Sequence, residues 1–199
     1  MSRLSNDPAV LLDAANNTVA DAVAVAALAA GTASGPLTTE FGTGTSNADN
    51  YASRVSVDLN SQLIVTEIVI DIDGLASEAT LADIIGDGTD ANANIGQVVA
   101  ESGTIFAGTV ECIEAPVTGE IDIDLYSATV GTGAAGSLVT ALTETALMLA
   151  AANWTAGDVR PLTAFPAADE FLYLSVGTAS TPTAGTYTAG IFKITLYGK

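Results

Sequence analysis

Ser61-Gln62-Leu63-Ile64-Val65-Thr66-Glu67-Ile68-Val69-Ile70-Asp71-Ile72-Asp73-Gly74 is the stretch whose pattern decides the fold. Ile64, Thr66, Ile68, Ile70 and Ile72 share one parity and are almost uniformly apolar. Leu63, Val65, Glu67, Val69, Asp71 and Asp73 share the other, which turns acidic toward its end. Alternate side chains of a strand project to opposite faces of a sheet. The pattern therefore predicts a long strand with a buried isoleucine stripe and a second face that is half apolar at first and exposed later.

The same alternation recurs on both sides of this strand. Residues 51–59 set Val55, Val57 and Leu59 against Arg54, Ser56 and Asp58, and Asn60-Ser61 turns the chain into the next strand. Residues 104–115, 119–129, 171–176 and 186–197 read as further strands. In 119–129, Ile121, Ile123 and Leu125 face one way and Asp122, Asp124 and Tyr126 the other, which reads as the solvated outer face of a sheet. In 186–197, Phe192, Ile194 and Leu196 point inward and Lys193 outward. Residues 77–85 have room for one or two helical turns before Gly86. Residues 138–152 read either way, since Ala, Leu and Met favour a helix and Thr140, Thr143 and Thr145 count against it. Seven or eight strands separated by Gly, Pro, Ser and Thr turns predict an all-β fold, a β-sandwich with the jelly roll among its forms.

The first fifty residues differ. Asn6-Asp7-Pro8 offers a helix start, and alanine-rich sequence runs on to Ala30 with an interruption at Asn16-Asn17-Thr18. Residues 31–50 are mostly Gly, Thr, Ser and Asn. The expected organisation is an N-terminal arm and linker over 1–50, extended or partly helical, and a β-sandwich domain over 51–199. A frayed terminus is the plainer reading of the arm, against which stands the apolar content of residues 9–30.

Twenty-three acidic residues face five basic ones, a net charge of −18. Such a balance repels phosphate backbones and anionic bilayers, so neither nucleic acid nor membrane is an expected partner. The chain has no histidine, which removes the common zinc sites and imidazole-based catalysis. The single cysteine, Cys112, lies between Glu111 and Glu114, where carboxylates disfavour a thiolate; a buried structural thiol is expected. The polar start and the short apolar run 22–30 carry no secretory or membrane-spanning pattern, so assembly in the cytoplasm is the expectation.

Residues that suggest chemistry are few. Asp90, Asn92 and Asn94 alternate, and Glu101 follows at the twelfth place, as a calcium loop requires; Ile95, however, stands where that loop needs glycine. A looser calcium site would draw in Asp87, and the competing reading is a polar turn. The paired acids Asp71/Asp73 and Asp122/Asp124 fit a metal or glycosidase site only if a cleft brings them together. Gly131-Thr132-Gly133-Ala134-Ala135-Gly136 has dinucleotide-loop spacing without the acidic residue expected about twenty residues on. Trp154, Tyr126 and Tyr173 are candidates for the floor of a carbohydrate site, with packing at a core margin as the commoner role.

With an Ala/Gly/Thr-rich arm, strands such as Thr66–Asp71 and Gly119–Leu125, Thr-rich loops and no catalytic apparatus, the chain resembles the capsid decoration or cement proteins of tailed bacteriophages. The resemblance implies a non-enzymatic virion protein on the outside of an icosahedral head, with the major capsid protein as partner. It also implies a homo-oligomer, often a trimer, whose arm reaches neighbouring subunits, and no cofactor beyond the calcium considered above. The alternative reading is a calcium- or carbohydrate-binding β-sandwich surface module.

Overall fold

The computed structural model describes residues 41–45, 48, 62–88, 90–178 and 181–199, and the backbone of 35–36 and 49–58. The helix expected within 8–30 lies outside the described residues. Strands follow in the order β1 (Gly35–Pro36), β2 (Asp49–Asp58), β3 (Leu63–Asp71), β4 (Ala76–Ser77), β5 (Ile105–Val117), β6 (Ile123–Ala128), β7 (Glu144–Met148), β8 (Val159–Pro161), β9 (Phe171–Val176), β10 (Gly185–Thr186) and β11 (Ala189–Gly198). A six-stranded sheet runs β1-β2-β3-β11-β5-β8, a three-stranded sheet runs β7-β6-β9, and β10 pairs with β4. Every pairing is antiparallel. The fold is an all-β sandwich.

The isoleucine stripe does what its spacing predicts. Thr66, Ile68, Ile70 and Ile72 are buried, while Glu67, Val69 and Asp71 are half-exposed. Ile68 and Ile70 of β3 lie beside Ile194 and Phe192 of β11, which in turn lie beside Val110 and Cys112 of β5. These side chains meet Ile123 and Leu125 of β6, Leu172, Leu174 and Val176 of β9, and Leu147 and Met148 of β7 in one core. Trp154 fills its margin, its ring edge-on to Phe192 at 5.4 Å between centroids.

The small sheet is buried on its other face as well. Tyr126, Ala128 and Tyr173 pack there against Ala82, Ile84, Ala93, Ala135 and Val139, all from irregular segments. Those segments form a third layer knitted by backbone bonds: Ile84 N–H donates to Ser137 O, Ala93 N–H to Gly133 O and Ala135 N–H to Asp90 O. They also line the free edge of β9, where Ile85 N–H donates to Leu174 O and Ile95 N–H to Leu172 O. A loop layer is tenable under a sheet only when its peptide groups are satisfied in this way.

This layer corrects two expectations. Residues 77–85 form no helical turn. Ala82 takes a φ of 62°, which a helix forbids, and the peptide groups that would bond i to i−4 bond to β9 and to 137–139 instead. Residues 138–152 hold only a three-residue 3₁₀ turn, Val139–Ala141, before entering β7; pairing with β6 overrides the helix propensity of Ala, Leu and Met.

The core also takes in residues upstream of Tyr51. β2 begins at Asp49, and Gly35–Pro36 pairs with it at the rim of the large sheet. Ala48 is in the main core, Phe41 packs against it, and Thr45 is sealed, its hydroxyl donating to Gly42 O and Asn94 O. The described part of the expected linker is thus stitched to the domain.

Candidate functional site

The four residues proposed for calcium sit in the loop layer and its exit. Asn92 and Asn94 act as clamps on the incoming chain. Asn92 O accepts from Gly44 N–H at 3.2 Å, and its side-chain amide donates to Thr43 Oγ1 at 3.2 Å. Asn94 O accepts from Gly42 N–H at 2.8 Å; its Oδ1 accepts from Gly96 N–H and its Nδ2 donates to Gly131 O. Asp90 is exposed at the turn, where its carbonyl accepts from Ala135 N–H. Glu101 is exposed on a separate 3₁₀ turn, Ala100–Ser102. The side-chain oxygen of Asn94 is committed to its own turn, and the side-chain amide of Asn92 to Thr43 of the incoming chain. Among the described residues no group of three or more His, Cys, Asp or Glu side chains is arranged to hold a metal ion.

The paired acids divide. Asp71 ends β3 and is half-exposed; Asp73 lies in the turn beyond it, exposed, its N–H donating to Asp71 Oδ1 at 3.0 Å. Asp122 and Asp124 are entirely buried, as is Glu120 but for 2% of its surface. The solvated outer face expected for these residues is therefore a sealed one. Residues 150, 177–178 and 183 lie against it because the carboxylates satisfy peptide groups that no strand pairs. Glu120 Oε1 accepts from Asp122 N–H at 2.9 Å and Oε2 from Thr183 N–H at 2.7 Å. Asp124 Oδ1 accepts from Ala150 N–H at 2.6 Å. Gly177 N–H donates to Asp122 O, and a Cβ on Gly177 would collide with the Asp122 carboxyl group.

Burial pushes the Asp124 carboxyl up to about 6, and the charge of Asp122 pushes in the same direction; the Ala150 amide and the hydroxyl and amide of Thr178 oppose them. Asp83, whose carbonyl accepts from Val176 N–H at the same end of β9, is also raised, chiefly by burial, with the Thr80 hydroxyl opposing and Glu78 adding. Periodicity located the acids but was silent on what covers them. The missed signal is the company they keep, a Thr/Ser/Pro sequence at 178–184 from which the Thr183 amide reaches Glu120.

Of the aromatic candidates, Tyr126 and Tyr173 are cross-strand partners and Trp154 lies apart from them. Trp154 belongs to the main core and donates from Nε1 to Ile123 O at 2.8 Å, with the Arg160 guanidinium 3.8 Å above its ring. Tyr126 and Tyr173 are buried in the loop-layer core on the opposite face of the small sheet. Tyr173 donates to Val130 O and accepts from Gly133 N–H, so the glycine-rich loop 131–136 is spent on seating that ring. None of the three rings offers the open face on which a sugar stacks. Cys112 is buried, its thiol pushed up to about 11 by burial and by Asp158 and Glu114, with Arg160 opposing. That is the structural thiol the sequence predicts.

The large sheet turns a second face away from the core. Its rows across β3, β11 and β5 read Val65–Tyr197–Ala107, Glu67–Thr195–Thr109 and Val69–Lys193–Glu111. Lys193 pairs with Glu111, which holds its ammonium above the ordinary lysine range. Val159 of β8 extends the third row and is 57% exposed; Ile113, beside the bulge in β5, is 46% exposed. Proline closes the edges: Pro161 in β8 and Pro116 in the part of β5 that β8 leaves uncovered, each removing a donor that another strand would use.

No protein-family model, curated protein or solved structure matches the chain. Among the described residues, no helix is long and apolar enough to cross a membrane.

Proposed function

We propose that the chain is a non-enzymatic structural protein of a tailed-phage virion, which binds and stabilises the outer surface of the capsid. The observation that carries this reading is the stitching of residues 35–36, 41–45 and 48 into the domain. Gly35–Pro36 extends the rim of the large sheet, and residues 42–45 and 48 are held by Asn92, Asn94 and the core. The apolar sequence of residues 9–30 therefore leads into a firmly held anchor. A segment that orders only on contact must offset its lost chain entropy by burying Val and Leu, and a fixed attachment point lets it pull a rigid body onto a shell. The outward sheet face, part apolar and part charged, supplies a second contact surface. Repetition over a symmetric shell then turns modest contacts into durable attachment. A charge of −18 suits the outside of a head better than contact with packaged DNA.

The major capsid protein is the proposed partner, with self-association of the chain on the shell. The test is sedimentation of purified protein with heads that lack it. Saturable co-pelleting at a fixed ratio of chain to capsid subunit supports the proposal, and absence of co-pelleting at micromolar concentration overturns it.

A further inference from the structure

Of the nine large apolar side chains exposed among the described residues, six lie along one side of the sandwich. Phe106, Ile113 and Val117 are on β5, Val159 is on β8, Phe165 follows β8, and Leu149 follows β7. Backbone bonds draw these segments together. β8 pairs with β5 over 109–111, Leu162 N–H donates to Gly108 O, Thr163 N–H donates to Leu147 O, and the Arg160 guanidinium holds Ala150 O. Apolar side chains gathered on one surface, instead of scattered singly, mark an interaction site.

Charge is neutralised along the same side. Val159 stands opposite Glu111, whose carboxylate pairs with Lys193, and Asp158, the residue before Val159, pairs with Arg160. Two of the five basic residues of a −18 chain are thus spent beside one exposed valine. Glu114, exposed beside Ile113, adds a carboxylate toward one end of the strip. Pro161 and Pro116 remove donors that an added strand would use, so whatever docks here meets side chains.

We propose that this strip is a self-association surface, on which a second copy of the chain packs about a two-fold axis at Val159. Charge selects the occupant. A cationic partner is drawn to the acidic surface elsewhere, whereas the strip with its carboxylates already paired is where another −18 molecule is repelled least. A two-fold contact is self-complementary: it sets the two Val159 side chains against each other, and the Ile113 end of one strip against the Phe106 end of the other. Glu114 is three residues from Glu111, so at about 3.3 Å per residue the two Glu114 side chains stand about 20 Å apart, well beyond the screening length of ~8 Å. The strip gives the self-association within the proposed function its surface. The contact forms in solution, so its test is separate from attachment to heads.

The experiment is sedimentation equilibrium of the full-length chain over a range of concentrations, in about 50 mM and about 500 mM salt. A monomer–dimer equilibrium that tightens with salt is expected, because salt screens the remaining charge and leaves apolar burial intact. Val159→Glu and Val159→Lys each place like charges face to face on the axis and are expected to weaken the dimer by about tenfold or more, without change in melting temperature. An equimolar mixture of the two is expected to restore it, since the axis then pairs glutamate with lysine. Ile113→Glu tests the same strip if a Val159 variant fails to fold. A wild type that stays monomeric up to about 0.5 mM in high salt overturns the proposal, as does a dimer that Val159→Glu leaves unchanged. A monomeric wild type whose co-pelleting with heads is lost in Val159→Glu also overturns it, and assigns the strip to the shell. A dimer that forms as expected beside a failure to co-pellet with heads supports this contact and counts against the proposed function alone.

Discussion

A methyl group on Gly44 has nowhere to go. Its Cβ would lie 2.7 Å from Ala91 O, 2.8 Å from Asp90 O and 2.9 Å from Ala93 N, all of them backbone atoms of the loop layer. The carbonyl of Gly44 meanwhile accepts from Asp87 N–H at 2.6 Å, so the segment has no freedom to back away. Gly44→Ala is expected to destabilise the domain by about 1–3 kcal/mol, the range for overpacking, as read by urea denaturation. The same contact bears on calcium. Asn92 spends its side-chain amide on Thr43, and Asn94 spends its side chain on Gly96 and Gly131, so calcium is expected to leave the melting temperature unchanged beyond the general screening of a −18 chain, and Asp90→Ala is expected to make no difference to that response. A saturable rise in melting temperature with calcium, abolished by Asp90→Ala, would instead establish the site read from the sequence. At this scale the sequence was partly legible. The spacing of Asp90, Asn92 and Asn94 marked a real device, but oxygen-bearing side chains at alternate positions serve backbone capping as readily as cation binding, and only the partner segment distinguishes the two. Asp122 and Asp124 carry the same lesson, since alternation identifies a face of a strand and says nothing of what lies over it.

Among the elements, the strands with strict alternation were the legible ones. β3, β9 and β11 were read directly from the isoleucine stripe, from residues 171–176, and from Phe192, Ile194 and Leu196 against Lys193. β7 was not, because five residues of Glu, Thr, Ala, Leu and Met carry little β propensity and owe their strand to β6. The loop layer was invisible for a related reason: its order comes from bonds between distant peptide groups, which no local pattern encodes. Arg160 shows how such irregular chain is held. Its Nη1 donates to Ala150 O at 2.7 Å and Ala152 O at 2.9 Å, its Nη2 to Asn153 O at 2.9 Å, and the guanidinium plane covers Trp154. One planar fork thus fixes residues 150–154 and the core margin together. Arg160→Lys retains the charge but not the fork, and is expected to cost about 1–2 kcal/mol; Arg160→Ala, which also loses the ring contact, about 2–4 kcal/mol. No loss for Arg160→Lys beside a full loss for Arg160→Ala in chemical denaturation would show that charge alone matters there.

For the whole molecule, the question is where the domain begins and what the sequence ahead of it does. The alternating core starts at Tyr51 in the sequence, yet Ala48, Thr45, Phe41 and the β1 pairing tie the upstream chain to the sandwich. Removal of residues 1–34 is expected to leave the melting temperature within about 2 °C of the full chain, whereas removal of 1–48 strips the contacts of residues 42–45 and 48 and is expected to lower it by about 8 °C or more, on the order of 2 kcal/mol for a domain of this size. Matching losses from both truncations would move the boundary upstream of Gly35. In the proposed function the shorter truncation separates folding from attachment, since it retains the anchor and discards the apolar segment. The central claim is attachment to the outside of a phage head, and cryo-imaging of heads lacking the protein, before and after the full-length chain is added, tests it most directly. The account predicts new ordered density on the outer shell surface at symmetry-related positions, into which the sandwich fits. No ordered density, or density confined to the inside of the shell or to the tail, would contradict it.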